Sequence, residues 1–328
     1  MERVTTAKPP AASNTVAQRC SWRRLVCVSV SIGAFVVTAA AHGGSWGASA
    51  RVNGKFVFAE QSSTYPRLVT IDADGTNRKQ LTARGDQCAS PKCGGQFPAW
   101  APDGSKLAFV KTYGPYSGLW VADADASHAR RLSQRGVDSF SWSPSGRQIV
   151  IAFKAPSQGI SILAATGPTS ERQIYKGSDN EIIEDLAWSP GGARIAFTHG
   201  RWRKNFTTGD FHILSVRIDG TGLRAITPVN EEQTLNPTWS PDGRRMAFFS
   251  DGNIVTMNAD GTNRKKIGVR GGGGLAWSPD GEKLAFVASR HGDSDNTWIF
   301  TVNVDGKSRR AIAPVLEVLG LSWQSTSH

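Results

Sequence analysis

Cysteine and histidine are scarce in this sequence, with four Cys and six His in 328 residues. Cys20 and Cys27 fall within the first fifty residues, which leaves Cys88 and Cys93 in the segment Cys-Ala-Ser-Pro-Lys-Cys. A metal site built on that pair would need two more ligands nearby, and none are visible. The histidines are scattered, with neither zinc spacing nor a Ser-His-Asp arrangement. Helical periodicity is also missing along the chain. These absences leave no self-contained active site, and the expectation is a non-enzymatic protein with no cofactor and no metal.

The first fifty residues differ from the rest. Arg19, Arg23 and Arg24 precede an apolar run from Leu25 to Ala41, and small residues follow, ending Ala48-Ser49-Ala50. A basic region, an apolar region and an A-x-A site describe a secretory signal over residues 1–50. An uncleaved membrane anchor is the other reading, but the run of 17 residues is short of the roughly 20 that span a bilayer. Removing residues 1–50 takes away five basic residues and one acid, and lowers the formal charge from +11 to +7. Export implies a periplasmic, cell-surface or extracellular location. There a Cys88–Cys93 disulfide is expected, and so small a closed loop would contribute about 2 kcal/mol.

What the sequence does have is repetition. Trp100-Ala-Pro-Asp-Gly recurs as Trp142-Ser-Pro-Ser-Gly, Trp188-Ser-Pro-Gly-Gly, Trp239-Ser-Pro-Asp-Gly and Trp277-Ser-Pro-Asp-Gly, and a truncated copy ends at Trp323. The spacings are 42, 46, 51, 38 and 46 residues. A period near 45 is that of one four-stranded propeller blade. Within each copy, strand A ends at the Trp and a Pro/Gly turn leads to strand B, as in Lys106-Leu-Ala-Phe-Val110. A variable loop leads to strand C. An Asp-Gly turn, as in Asp72-Ala-Asp-Gly75, leads to strand D. Residues 55–82 read as strands B, C and D without an A, and residues 318–325 as an A alone. Together they complete one blade and close the ring. The predicted fold is all-β, a six-bladed propeller over residues 51–328. Its blades are 55–82 with 318–325, then 96–133, 138–176, 183–227, 235–267 and 273–312.

The Trp-Ser-Pro-Asp-Gly-x-x-Leu-Ala-Phe pattern, with the turn Asn258-Ala-Asp-Gly-Thr-Asn-Arg264, resembles the repeat of the TolB-like propeller family. The resemblance covers nearly all of the chain after residue 50 and implies a protein-binding scaffold. TolB itself carries a separate α/β domain before its propeller, whereas here the propeller begins almost at the expected cleavage site. The resemblance therefore implies membership in the family rather than the TolB role in the Tol–Pal envelope system. Prolyl oligopeptidases place a related propeller before a hydrolase domain, and this reading leaves no residues of the sequence for one.

Several motifs have a plain explanation. A Trp repeated at one position of every blade packs between sheets rather than stacking on a ligand. The Asp-x-Asp-Gly turns resemble the start of a calcium loop, but the Thr-Asn-Arg-Lys that follows is basic, so turn chemistry explains them better. Gly43-Gly-Ser-Trp-Gly47 matches a nucleophile elbow only in letters, since it lies at the signal's cleavage site.

The basic residues Arg78-Lys79, Arg130-Arg131, Arg264-Lys265-Lys266 and Arg309-Arg310, extended by Arg172 and Arg224, fall at the start of strand D, the outer edge of each blade. They read as edge protection or as attraction for an anionic polymer or a membrane surface. Nucleic acid has no recognised binding module here.

Function in a propeller is expected where the D→A and B→C connections open. The longest B→C loop, from His199 toward Asp210, carries Arg201, Trp202, Arg203, Lys204 and Phe206. The D→A segments supply Asp138, Glu184, Asp185, Glu231, Glu232 and Glu317, and Tyr113, Tyr116, His291, Asp293 and Asp295 share the face. The leading expectation is a monomeric exported module that binds an envelope protein or peptide on this face. A saccharide-acting lyase or hydrolase with a metal in the channel is the enzymatic alternative. A basic-rim binder of anionic envelope polymer is the third.

Overall fold

The computed structural model describes residues 52–61, 66–81, 95–112, 117–153, 158–167, 170–178, 180–202, 209–229, 233–290, 297–316 and 318–326. Among them, strands form six four-stranded antiparallel sheets. The first blade holds β1 (Val52–Glu60), β2 (Arg67–Asp72) and β3 (Lys79–Leu81). The second holds β4 (Gln96–Trp100), β5 (Lys106–Lys111), β6 (Gly118–Asp123) and β7 (Arg130–Ser133). The third holds β8 (Val137–Trp142), β9 (Gln148–Phe153), β10 (Gly159–Ala164) and β11 (Glu171–Lys176). The fourth holds β12 (Ile182–Trp188), β13 (Arg194–Trp202), β14 (Gly209–Arg217) and β15 (Arg224–Ala225). The fifth holds β16 (Thr234–Trp239), β17 (Arg245–Ser250), β18 (Asn253–Asn258) and β19 (Lys265–Arg270). The sixth holds β20 (Gly273–Trp277), β21 (Lys283–Ser289), β22 (Thr297–Asn303) and β23 (Arg310–Val315). The last strand, β24 (Val318–Thr326), pairs antiparallel with β1 and supplies the first blade's missing inner strand. The expected closure is thus the observed one.

The turns form for local reasons. After each Trp the chain reverses within a few residues, and Gly104, Gly146, Gly192, Gly243 and Gly281 take φ near +70°, which a side chain resists. In the C→D turns an Asp carboxylate is held by the backbone two residues on, as when Thr76 N and Oγ1 donate to Asp74 Oδ1 at 2.9 and 2.7 Å. Those carboxylates serve the turn.

The core lies between neighbouring blades. All six repeat tryptophans are buried. Three of them bridge blades in the same way: the indoles of Trp142, Trp239 and Trp277 each donate at 3.2 Å to Ala99 O, Ala187 O and Thr238 O, the residue before the Trp of the preceding blade. Inner strands are tied further by Ser139 and Ser141, whose hydroxyls accept from Leu186 N at 2.8 Å and Trp188 N at 3.1 Å.

Each inner strand is also bulged near its entry. In five blades the residue three before the Trp has positive φ: Phe97, Asp185, Asn236, Gly274 and Gly320. Gly, Asn and Asp accept this region readily, whereas a buried Phe does not. In the third blade the pairing of β8 with β9 skips Asp138 instead.

Candidate functional site

The fourth blade differs from the others on the face where the B→C connections open. Its β13 and β14 are nine residues each and stay in register through His199↔His212, Arg201↔Asp210 and Trp202↔Gly209. Residues His199 to Trp202, expected in the long loop, are therefore strand. Arg201 is exposed on it.

A polar cluster braces this hairpin against the third blade. Glu181, in the connection leading to β12, is its hub. Its Oε2 accepts from Tyr175 Oη at 3.2 Å and Ser178 N at 3.3 Å, and faces His199 Nε2 at 3.5 Å. Its Oε1 accepts from Arg201 Nη2 at 3.2 Å. Burial opposes the charge on Glu181, but the Ser178 and Arg201 donors and the His199 ring outweigh it and hold its pKa below the ordinary value. Burial, and then the Glu181 charge, push the Tyr175 hydroxyl up to about 12.

His199 and His212 lie directly opposite on the hairpin, with ring centroids 5.1 Å apart. Burial lowers the pKa of both, and His199 further lowers that of His212. Among the described residues, neither Nδ1 has a hydrogen-bond partner. A His199 that donates from Nε2 to Glu181 must leave Nδ1 as a bare acceptor when neutral.

Asp185 was expected on the binding face but is buried. Its Oδ2 accepts from Thr198 Oγ1 at 2.7 Å and from Asn236 N in the next blade at 3.1 Å. The bulge at its own positive φ turns the carboxylate inward, where it ties two inner strands together. Asp138 and Glu184 are half-buried on the inner strands β8 and β12. The structure brings Arg201 to Glu181, not to these acids. Tyr113, Tyr116, Arg203, Phe206, His291, Cys88 and Cys93 lie outside the described residues, as do Lys204, Glu231, Glu232, Asp293, Asp295, Glu317 and the whole signal segment.

The sequence reading missed Glu181, Tyr175 and the His199–His212 pair as a unit. The spacing of the two histidines about the hairpin centre was the available signal. It also missed Lys111, whose ammonium is buried 3.7 Å from the centre of the Trp120 ring. Burial pushes its pKa down to about 8.

The outer rim has a structural role that the sequence did not show. Arg172 and Arg130 donate across to the neighbouring blade's Ile218 O and Ala165 O, and Arg310 does so to Asp74 O. Arg78, Arg264 and Arg309 lie against the buried rings of Phe58, Phe248 and Phe300, at 5.5, 5.5 and 3.9 Å. No group of three or more His, Cys, Asp or Glu among the described residues is placed to hold a metal. No helix among them is long and apolar enough to cross a membrane.

Comparison with known proteins agrees with this architecture. Among solved structures, TolB from Acinetobacter baumannii superposes with a TM-score of 0.67 at 16% identity, over 82% of this chain and 66% of that one. An oligogalacturonate lyase in complex with manganese superposes with a TM-score of 0.51 at 17% identity, over 84% of this chain and 75% of that one. Both likenesses are of fold. An uncharacterized peptidase of Bacillus subtilis, YuxL, is 25% identical over 158 residues, 47% of this chain and 21% of that protein. The chain spans about a fifth of the length of the curated relatives it matches. The profile of the TolB beta propeller domain matches residues 86–274, more than half of the sequence, and with six blades closed by the C-terminal strand the chain belongs to the TolB-like β-propeller family.

Proposed function

We propose that this chain is an exported, non-enzymatic propeller that docks a protein or peptide of the cell envelope or extracellular space on the face bearing the β13–β14 hairpin. The observation that carries the reading is the bracing of that hairpin. Four donors converge on Glu181, and one of them is the exposed Arg201 beside Trp202. A rigid scaffold that holds an exposed cation on a long hairpin, with an aromatic residue next in sequence, suits an interface anchor. The lyase reading rests on fold likeness alone, and no set of converging metal ligands among the described residues supports it.

The test is a pair of substitutions. Trp202→Ala should weaken capture of the partner by about 1–2 kcal/mol, roughly tenfold, with the melting temperature nearly unchanged. Trp239→Ala should unfold its blade. Equal destabilisation by the two would place Trp202 in the core and remove the site.

A further inference from the structure

The propeller's own repeats serve as an internal control for one position. Where strand B begins and strand C ends, the facing residues are Lys55 and Asp72 in the first blade and Lys106 and Asp123 in the second. Both are ion pairs, the second at 3.0 Å. In the fifth and sixth blades they are Arg245 with Asn258 and Lys283 with Asn303. The third blade has the neutral Gln148 and Ala164. In the fourth blade they are Arg194 and Arg217. Two like charges directly opposite on neighbouring strands cost stability, so the fourth blade reverses a pairing that the other blades make favourable or neutral.

A third arginine adds to the charge. Arg224 pairs with Ser215 across β14 and β15, and Ser215 is the residue whose hydroxyl accepts from Arg194 Nε at 3.1 Å and Nη2 at 3.0 Å. Arg194 also donates from Nη2 to Gly222 O at 2.5 Å, and among the described residues it makes no hydrogen bond through Nη1. A Cβ built on Gly222 would lie 3.6 Å from that Nη1 and 3.5 Å from Arg217 Nε, so both guanidinium groups flank the same glycine. Among the described residues, neither the Arg217 nor the Arg224 guanidinium has a hydrogen-bond partner. Two acids lie near, Asp219 by Arg217 and Asp260 by Arg224, but each carboxylate already accepts two hydrogen bonds in its own turn, Asp219 from Thr221 N and Oγ1 at 2.9 and 2.7 Å and Asp260 from Thr262 N and Oγ1 at 2.9 and 2.6 Å. Burial and the charges of Arg224 and Arg217 all disfavour the Arg194 cation.

We propose that Arg194, Arg217 and Arg224 form an anion-binding site for a phosphate-class oxyanion, seated where Asp72 and Asp123 place their carboxylates in the first two blades. Guanidinium groups present paired donors that match the oxygens of such a group. The site lies at the turn end of the blade, away from the hairpin tip, and stands or falls independently of the docking reading.

The test titrates the full-length chain with inorganic pyrophosphate, and separately with polyphosphate, at constant ionic strength. The wild type should bind. Arg217→Asp rebuilds the pairing of the first two blades and should weaken binding at least tenfold while raising the melting temperature. Arg217→Gln should weaken binding without adding a new ion pair, and the exposed Arg147→Gln should bind like the wild type. Polyphosphate bound more than tenfold tighter than pyrophosphate assigns the site to a polymer, and equal affinity assigns it to a small oxyanion. The proposal is overturned if the wild type binds neither, or if both Arg217 variants bind as the wild type does.

Discussion

Arg78, at the start of the first blade's outer strand, donates from Nη1 to the backbone carbonyl of Pro314, on the outer strand of the sixth, at 3.3 Å. The same guanidinium grips Glu60 through both carboxylate oxygens at 2.7 and 2.8 Å, and Glu60 accepts in turn from Leu316 N at 3.2 Å. The seam where the ring closes is therefore tied at its outer edge as well as by β24 inside.

A chain that ends at Leu316 should lose more than one strand's worth of stability. Val318, Leu321 and Trp323 are buried in a cluster with Phe56, Phe58, Ile299 and Val315, which spans the first and sixth blades. Their loss leaves the flank of the sixth blade without its neighbour, and each large buried side chain removed costs about 2–5 kcal/mol. Thermal unfolding should become broad and shift far down. Retention of the full-length melting temperature would contradict the closure.

Gly320→Ala tests the bulged inner ring. Gly320 has φ +85°, and a Cβ there would lie 2.8 Å from the Cα of Phe97. The backbone conformation alone costs about 1–2 kcal/mol for an L side chain, and the clash with backbone adds to it. Gly167→Ala has φ +73° but nothing within 4 Å, so it should show the smaller cost. Denaturant titration of the two variants separates the terms, and equal losses would show that the approach of β24 to β4 is not tight.

The histidine pair predicts acid sensitivity. Both folded-state pKa values lie below the ordinary 6.5, so the fold prefers the neutral rings. Their contribution is complete above about pH 6.5 and is lost as the pH falls through the folded values, because protons then bind the unfolded chain more readily. The melting temperature should fall between pH 7 and pH 5, and the double variant His199→Gln with His212→Gln should flatten that fall. An unchanged slope would show that the rings are solvated.

The sequence disclosed the blades almost residue for residue because one buried Trp and two turn types recur in each. The expected 96–133 and 138–176 became strands spanning Gln96–Ser133 and Val137–Lys176. The site was harder to read. Glu181 meets His199 only through the connection from one blade to the next. The histidines meet only because the hairpin keeps register further than its loop-like composition suggested. Asp185 resembled a solvated acid because a single bulge reverses which face a side chain takes, and sequence alternation does not reveal a bulge. The rim arginines resembled a uniform charged edge, yet several reach neighbouring carbonyls or rings, and the facing pair Arg194 and Arg217 lies on the inner β13 and β14 rather than on that edge.

The proposed docking face is tested most directly by photo-crosslinking in the cell that makes the protein. One full-length variant carries the reactive residue at position 202, at the end of β13, and the other carries it at position 147, on an exposed turn between strands A and B of the third blade. The account predicts a discrete protein adduct from position 202 and none from position 147. An adduct from position 147 alone, or equal adducts from both, would contradict it.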